Sequence, residues 1–593
     1  MSAMSEQRAA SGERARHRLA LVLLLVAACL LLAAFGLFFH RDNFSTHYPI
    51  KAISAAAFRA GEIPFWNPFD GGGQPLAGNP NTLTFYPDNF LYLVLPAHVA
   101  FNLHFLLHLA AGWLAMRALA RSAFAASVLV LSGIAISAMS FYSLITAIAL
   151  IPFALLAAQR RSALQLGLAF GLMGLAGEPV TIVATAIACA IVRFSPQLIA
   201  AVPLAAAIAL PQIVAYAEIA RETERGGHGY SAQTVLAASL EPARLLELLI
   251  GPFRQVQAVH LFPTLTIGII AVPALFRRSR LTVAALAMLF FALGRFNPIV
   301  RWAVESFDWL RIGRYPEKFA LPMCVLLIVL AAEVHRRHAR VWAWVTLVPL
   351  VVWAIVTLPI DWFSYYRVPP RPLARVYAPP QPGGQAVDRD DYRARAARLD
   401  PIFGAVAGVR YALNRSPDGM HSLLSRIAAE RYATTQNAHW LQIALMPDAV
   451  VVSRAIGART IPEAVNAIES AAFDPRAVAV APMRLHGFVS TGHITRVSRG
   501  RDWIELDIAE GPALVLINES YFRAWGPETF PVDLDRLGII ARPGHIRLQF
   551  GRLRGWIIAA WVVSNALLLL GAFLLVQKRD RLAGEVERPA DEH

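Results

Sequence analysis

Arg41-Asp42-Asn43-Phe44-Ser45-Thr46-His47-Tyr48-Pro49 closes the first apolar run of the chain. Gly61-Glu62-Ile63-Pro64-Phe65-Trp66-Asn67-Pro68, Gly71-Gly72-Gly73-Gln74-Pro75-Leu76 and Phe85-Tyr86-Pro87 follow before the sequence turns apolar again. An acidic residue at the end of an apolar run, then a long loop rich in Gly, Pro, Trp and Asn, sets an ionisable group at a membrane surface under a structured cover. That arrangement suits chemistry between a lipid-borne group and something outside the bilayer.

Composition agrees. The chain has 593 residues, 56% hydrophobic and 16% charged, whereas a soluble protein of this size carries about 25% charged residues. Many windows reach the ~20 apolar residues needed to cross the hydrocarbon. The reading is a polytopic membrane protein. The net charge of +15 comes from arginines that flank apolar runs instead of gathering on one soluble face, which argues against a nucleic-acid partner. Cys29, Cys189 and Cys324 all lie in apolar runs, so neither a disulfide framework nor a cysteine metal site is expected. Lysine is confined to Lys51, Lys318 and Lys578.

Arg8, Arg14, Arg16 and Arg18 precede the first apolar run, so the N-terminus is expected in the cytoplasm, uncleaved. Keeping the later clusters (Arg117/Arg121, Arg160/Arg161, Arg193, Arg277/Arg278/Arg280, Arg336/Arg337/Arg340 and Lys578/Arg579/Arg581) on that side requires about twelve spans. They are expected near 19–39, 98–116, 123–141, 143–158, 163–176, 179–193, 197–217, 262–276, 281–295, 319–334, 341–360 and 554–576. Loops 40–97, 176–179, 218–261, 296–318 and 361–553 then share the outer side and hold nearly all the unusual polar sequence. The chain has no P-loop, which disfavours an ATP-driven pump.

Three units result: a membrane domain over 1–360 with its first outer loop at 40–97, an outer module over 361–553, and a final span with a cytoplasmic tail over 554–593. The module opens with Pro-rich sequence at Pro369–Pro382 and helical patterns near Asp391–Arg398, Ser422–Tyr432 and Ile461–Ala471. From Val478 a period of two takes over, in His493–Val497, Trp503–Ile508, Ala513–Asn518 and, after Arg542-Pro543-Gly544, His545–Phe550. Such runs predict antiparallel strands, hence an α+β module rich in antiparallel sheet.

These stretches carry a resemblance. The 42–87 motifs, Arg314-Tyr315-Pro316-Glu317-Lys318-Phe319 before an apolar run, and Glu519-Ser520-Tyr521-Phe522-Arg523-Ala524-Trp525 followed by Val532-Asp533 and Arg542-Pro543-Gly544-His545 resemble the bacterial YfhO-type membrane proteins, a branch of the GT-C glycosyltransferase superfamily. Arg41 departs from the small residue expected before the acid. The resemblance implies a GT-C-like fold and transfer of a sugar from a polyprenyl-phosphate carrier to an envelope glycan or other hydroxyl acceptor. It sets that work on the outer face of the bacterial inner membrane.

The residues read independently for that work as follows. Inverting transfer needs a base for the acceptor hydroxyl, and a carboxylate can serve. Asp42 is the first candidate, set against a plain capping role or pairing with Arg41, with Asp70 and Asp88 as rivals. His47 lies where a helical turn brings it near Asp42, and either orients it or is structural. Glu178, in Gly177-Glu178-Pro179, reads as a second acid or as a helix-boundary residue. A phosphate leaving group needs fixed cations. Arg314 and Lys318 fit as a planar fork and a point charge, with Lys51 as a further cation, against ordinary snorkelling. Trp66 and Asn67, with Asp88 and Glu317, are candidates for the substrate surface, although interfacial aromatics such as Trp66, Phe65 and Phe85 also serve as anchors. No cofactor and no required metal are expected, a divalent ion being left open. A lipid transporter or flippase and a non-catalytic scaffold are the competing classes.

Overall fold

The computed structural model describes residues 23–38, 42–223, 226, 230–249, 264–268, 276–334, 339–358, 360–368, 373–378, 389–413 and 420–586. His40, Arg41, the basic N-terminus and most of the Pro369–Pro382 stretch lie outside them.

Three described helices are long and apolar enough to cross a membrane: Ala97–Ala120, Pro196–Glu222 and Arg554–Lys578. The 24 residues of the first rise about 36 Å at ~1.5 Å each. Leu107 and Leu114, Leu210 and Ile213, and Val562, Leu569 and Phe573 on these helices are exposed. A broad apolar outer surface of this kind belongs in lipid. Leu23–Phe35, Ile145–Gln159, Ala163–Leu175, Pro179–Arg193, Arg280–Ala292 and Trp344–Thr357 are apolar but shorter. Among the described residues, helix length alone therefore does not establish the twelve or so spans expected. Ile145–Gln159 is buried on almost every side, as a helix apolar all round must be.

Two expected spans take another form. The 123–141 run forms Ala123–Leu131 and Gly133–Ala138, with Ser132 extended between them and its hydroxyl capping the Ala135 N–H. Over 264–268 the 262–276 run has neither helix nor strand, and the chain there is irregular and buried. Gly133 N–H donates to the Thr266 carbonyl at 2.7 Å, and the Ile267 and Gly268 N–H groups donate to the Leu248 carbonyl at 3.1 and 3.0 Å. Ser137 Oγ donates to the Thr264 carbonyl at 2.9 Å and accepts from its N–H at 3.1 Å. Non-helical backbone among apolar helices needs such partners. A Cβ on Gly133 would lie 2.7 Å from Thr264 Oγ1 and from the Thr266 nitrogen, so the close approach requires glycine there.

Gly36–Phe38, after the first apolar helix, pairs antiparallel with Ile360–Trp362, after the Ala339–Thr357 helix. The exits of both helices thus lie side by side, and the module begins where the first loop begins. In the module, Phe530–Val532, Arg536–Ala541, Ala513–Ser520 and Ala449–Val452 form one antiparallel sheet in that order. Gly492–Arg499, Trp503–Glu510 and Gly544–Gln549 form another. The period-two runs match these strands. The expected helices are Arg389–Arg398, Leu423–Thr435 capped by Ser422, and Ile461–Glu469. Gly544–Gln549 leads into the Arg554–Val586 helix after a short turn.

The first loop is fastened to this module. Trp66 is 1% exposed, packs on Phe522, Trp525 and Phe550, and donates from Nε1 to Glu519 Oε2 at 2.8 Å. Glu519 also accepts from Arg375 at 3.2 Å and Arg499 at 2.8 Å. Gly73, at φ +95°, brings the loop so close that a Cβ would stand 2.4 Å from the Trp66 ring.

Candidate functional site

Local chain geometry decides which side chains of the first loop turn inward. Asn43–His47 is a π-helical turn that runs into the Tyr48–Arg59 α-helix, and the Tyr48 N–H reaches back to the Asn43 carbonyl. Pro49 follows; it offers no N–H, and its ring crowds the carbonyl four residues earlier, so a wider turn there relieves the clash. Wide turns of this kind are frequent at functional sites. Asn43, His47 and Lys51 are buried, whereas Asp42 stands exposed at the start of the turn.

Each inward group has a partner. Asn43 Nδ2 donates to the Met139 carbonyl. His47 Nδ1 lies 3.2 Å from the Asn81 carbonyl. Burial depresses the His47 ring to about 3; its bond to Asn81 opposes this and Lys51 reinforces it. Lys51 Nζ donates to Asn89 Oδ1 at 2.7 Å and lies 4.8 Å from the centre of the Tyr142 ring. Burial lowers the Lys51 ammonium to about 7, against the attraction of Asp88. Asp88 is tied to His104 Nδ1, with the Tyr142 hydroxyl 3.4 Å away. Burial works to raise the Asp88 carboxyl, but His104, Lys51 and His108 outweigh it and hold it below the ordinary carboxylate range. Among the described residues, Asp88, His104 and His108 bring one possible metal-ligating atom each within 4.8 Å of one another.

The next residue after Tyr142 opens the other half of the site. Ser143 Oγ donates to Glu178 Oε1 at 2.7 Å, Thr181 Oγ1 approaches Oε2 at 3.4 Å, and Lys318 Nζ donates to Oε2 at 2.6 Å. Glu178 is 5% exposed at its side chain and Lys318 15%. Lys318 sits in the Pro316–Phe319 turn, preceded by Tyr315 at φ +73°. A bulky residue with positive φ costs of order 1–3 kcal/mol and persists only where its surroundings fix it. The Tyr315 and Glu317 N–H groups do so by donating to the Val235 and Ala238 carbonyls, both at 3.1 Å. Arg314 is half-buried, its guanidinium 4.7 Å from the Tyr230 ring centre and 5.0 Å from that of Tyr315.

The structure therefore brings His47, Lys51 and Asp88 to one side of Tyr142-Ser143, and Glu178 with Lys318 to the other. Glu317 and Trp66 have structural occupations. Glu317 is fully buried and accepts from Arg244 Nη1 at 2.5 Å, while Arg244 also grips Glu247. Trp66 lies in the aromatic seam with the module, away from an open surface, and adjacent Asn67 is buried with Oδ1 accepting from the Phe69 N–H at 3.1 Å. Sequence reasoning missed Tyr142, Ser143, Asn89, His104, His108 and Arg244. The only available signal was a polar residue inside or beside an apolar run.

No protein-family model matches the chain, and no curated protein matches it. Among solved structures, the crystal structure of ArnT from Cupriavidus metallidurans bound to undecaprenyl phosphate is similar at 16% identity, over 76% of this chain and 84% of that one, with a TM-score of 0.33. A TM-score of that size does not establish a shared fold, and the functional reading rests on the residues.

Proposed function

We propose that the protein is a GT-C-type membrane glycosyltransferase that moves a sugar from a polyprenyl-phosphate donor to a hydroxyl acceptor, an envelope glycan or another molecule, on the outer face of the bacterial inner membrane. The observation that carries the reading is the pairing, around Tyr142-Ser143, of a helix that starts at an exposed carboxylate with a partly exposed lysine at the foot of an apolar helix. Asp42 removes the acceptor proton, and the acceptor oxygen forms a bond to the anomeric carbon. The bond from that carbon to the lipid phosphate breaks, and the phosphate leaves with the electron pair. Lys318 and Arg314 stabilise the charge that develops on it. Glu178 holds Lys318 until the phosphate arrives. Lys51 adds positive field from beneath the loop.

A transfer assay with purified protein and defined polyprenyl-phosphate sugars tests this. The expected result is sugar transfer that Asp42→Asn reduces by ~10²–10⁴-fold, the range for loss of a general base, with donor binding retained. Donor binding or lipid movement across vesicles with no transfer to any acceptor would instead support a transporter or scaffold.

A further inference from the structure

We propose that Asp88, His104 and His108 form a binding site for a transition-metal ion of the zinc class, which fastens the first loop to the Ala97–Ala120 helix. The inference does not depend on the glycosyl-transfer reading. It departs from the expectation of no required metal, because two of the ligands sit inside an apolar run where no ligand motif is legible.

The hydrogen bonds fix the ring tautomers. His104 Nε2 lies 2.8 Å from the Tyr142 carbonyl, and His108 Nδ1 lies 2.7 Å from the His104 carbonyl. A carbonyl only accepts, so each of those nitrogens carries a hydrogen. The other nitrogen of each neutral ring then presents a lone pair. For His104 that lone pair, on Nδ1, faces Asp88 Oδ2, itself an acceptor. Two acceptors in contact need a cation between them, either a proton or a metal ion.

Three further observations favour the metal. First, His108 brings a second imidazole within reach of the other ligand atoms; its Nε2 lone pair accepts from the Tyr86 hydroxyl at 2.8 Å, and rotation of that hydroxyl would release the lone pair to an ion. Second, Asp88 Oδ1 is buried and has no hydrogen-bond partner, on a side chain only 10% exposed. Third, each imidazole donates its remote N–H to a backbone carbonyl, the outer-shell arrangement that orients metal-bound histidines. His104 and His108 are four residues apart on one helix face, and two imidazoles with one carboxylate form a nitrogen–oxygen set suited to zinc. Lys51 does not compete for the site, since its ammonium is spent on Asn89 Oδ1 and the Leu83 carbonyl.

The test uses the full-length protein, purified without a residual affinity tag. After chelation and dialysis against Zn²⁺ it should retain about one zinc per chain by elemental analysis, and added Zn²⁺ should raise its melting temperature. Co²⁺ in place of zinc should give visible absorption bands of a low-coordinate nitrogen–oxygen site. His108→Ala, at the more open edge of the cluster, and Asp88→Asn should each weaken zinc binding by at least ~100-fold, since loss of a ligand exceeds the 10–100-fold cost of losing an outer-shell partner. Wild-type protein that retains no zinc and gains no thermal stability from it would overturn the proposal without recourse to any variant. So would zinc that stays at full stoichiometry in both variants, because it would then be bound elsewhere.

Discussion

Lys318→Gln is the most informative single change at the proposed donor site. Lys318 Nζ and Glu178 Oε2 are 2.6 Å apart, with side chains 15% and 5% exposed. Unit charges about 4 Å apart attract by ~4 kcal/mol at an effective dielectric constant near 20, and breaking a largely buried pair from one side costs about 3–5 kcal/mol. After Lys318→Gln, Glu178 keeps Ser143 at 2.7 Å and only a long contact from Thr181 at 3.4 Å, so the cost should be ~3 kcal/mol. Glu178→Gln should cost nearly as much, because it strands the ammonium. The double variant replaces the pair with two amides that can bond to each other, so it should lose about 2–3 kcal/mol less than the sum of the single losses, the size of a strongly coupled contact. Equilibrium unfolding in mixed micelles measures this cycle. Energies that add to within ~0.5 kcal/mol would refute the pair as an energetic unit. Titration with a polyprenyl phosphate gives the functional arm. A hydrogen bond to a charged group contributes about 1.5–3 kcal/mol, so Lys318→Gln should weaken phosphate binding roughly 10–150-fold. Glu178→Gln should strengthen it by removing a competing anion. Equal affinity in all three proteins would exclude Lys318 as the phosphate ligand.

Further outcomes follow from other parts of the structure. Gly73→Ala should cost at least ~2 kcal/mol, from positive-φ strain and overpacking against the Trp66 ring. Proteolysis between the first loop and the module reports it, and an unchanged digestion pattern would mean that the seam yields. Asp533 is raised to about 8, by burial first and by Asp535, against the Val480 N–H and Arg536. The folded state therefore holds a proton that the unfolded chain has released between the ordinary carboxylate range and pH 8. Its contribution is complete below that range and is lost as pH rises through 8. Asp533→Asn should flatten this decline, gaining melting temperature at pH 8 relative to pH 5, and parallel pH profiles would contradict the assignment. Donor binding at fixed ionic strength should also weaken as pH rises through about 7, where Lys51 loses its charge, if Lys51 adds to the field on the phosphate. Lys51→Met should remove that step.

The parts legible in the sequence are those whose signal is local. Strands such as Trp503–Glu510 show a period of two because one face is buried and the other is not, and the Arg542-Pro543-Gly544 turn sets where the last of them begins. The first loop stood out because its glycines, prolines and tryptophan fit neither a helix nor a strand. The reach of Glu178 to Lys318 across 140 positions, and of Arg244 to Glu317 across 73, left no local trace. The 264–268 segment failed for another reason: a short apolar run suits a buried strand and a buried helix equally. Its non-helical form goes with the bonds it makes to Gly133, beside the Ser132 break, and to the Leu248 carbonyl. His104 and His108 were hidden by the apolar composition that identified their helix.

The assignment of the base can be narrowed by the burial of the other candidates and by what protonation would cost them there. His47 at neutral pH is an uncharged ring, since burial keeps it depressed to about 3, and the Nδ1–H it directs at the Asn81 carbonyl fixes its orientation. A proton arriving at Nε2 would create a buried cation beside Lys51, which already lies in its field. Glu178 is engaged by a serine, a threonine and a lysine, so taking a proton there would cost it the ion pair. Asp88 is occupied by His104. Asp42 differs in being exposed, and no other carboxylate occurs along Asn43–Arg59. On the proposed reading the buried residues of that helix therefore hold the carboxylate's platform still, and proton removal falls to its exposed end. His47→Gln should accordingly change stability and the affinity for substrate while leaving the pH dependence of turnover with the carboxylate. A pH–rate profile whose acidic limb disappears in His47→Gln, and persists in Asp42→Asn, would reverse the two roles.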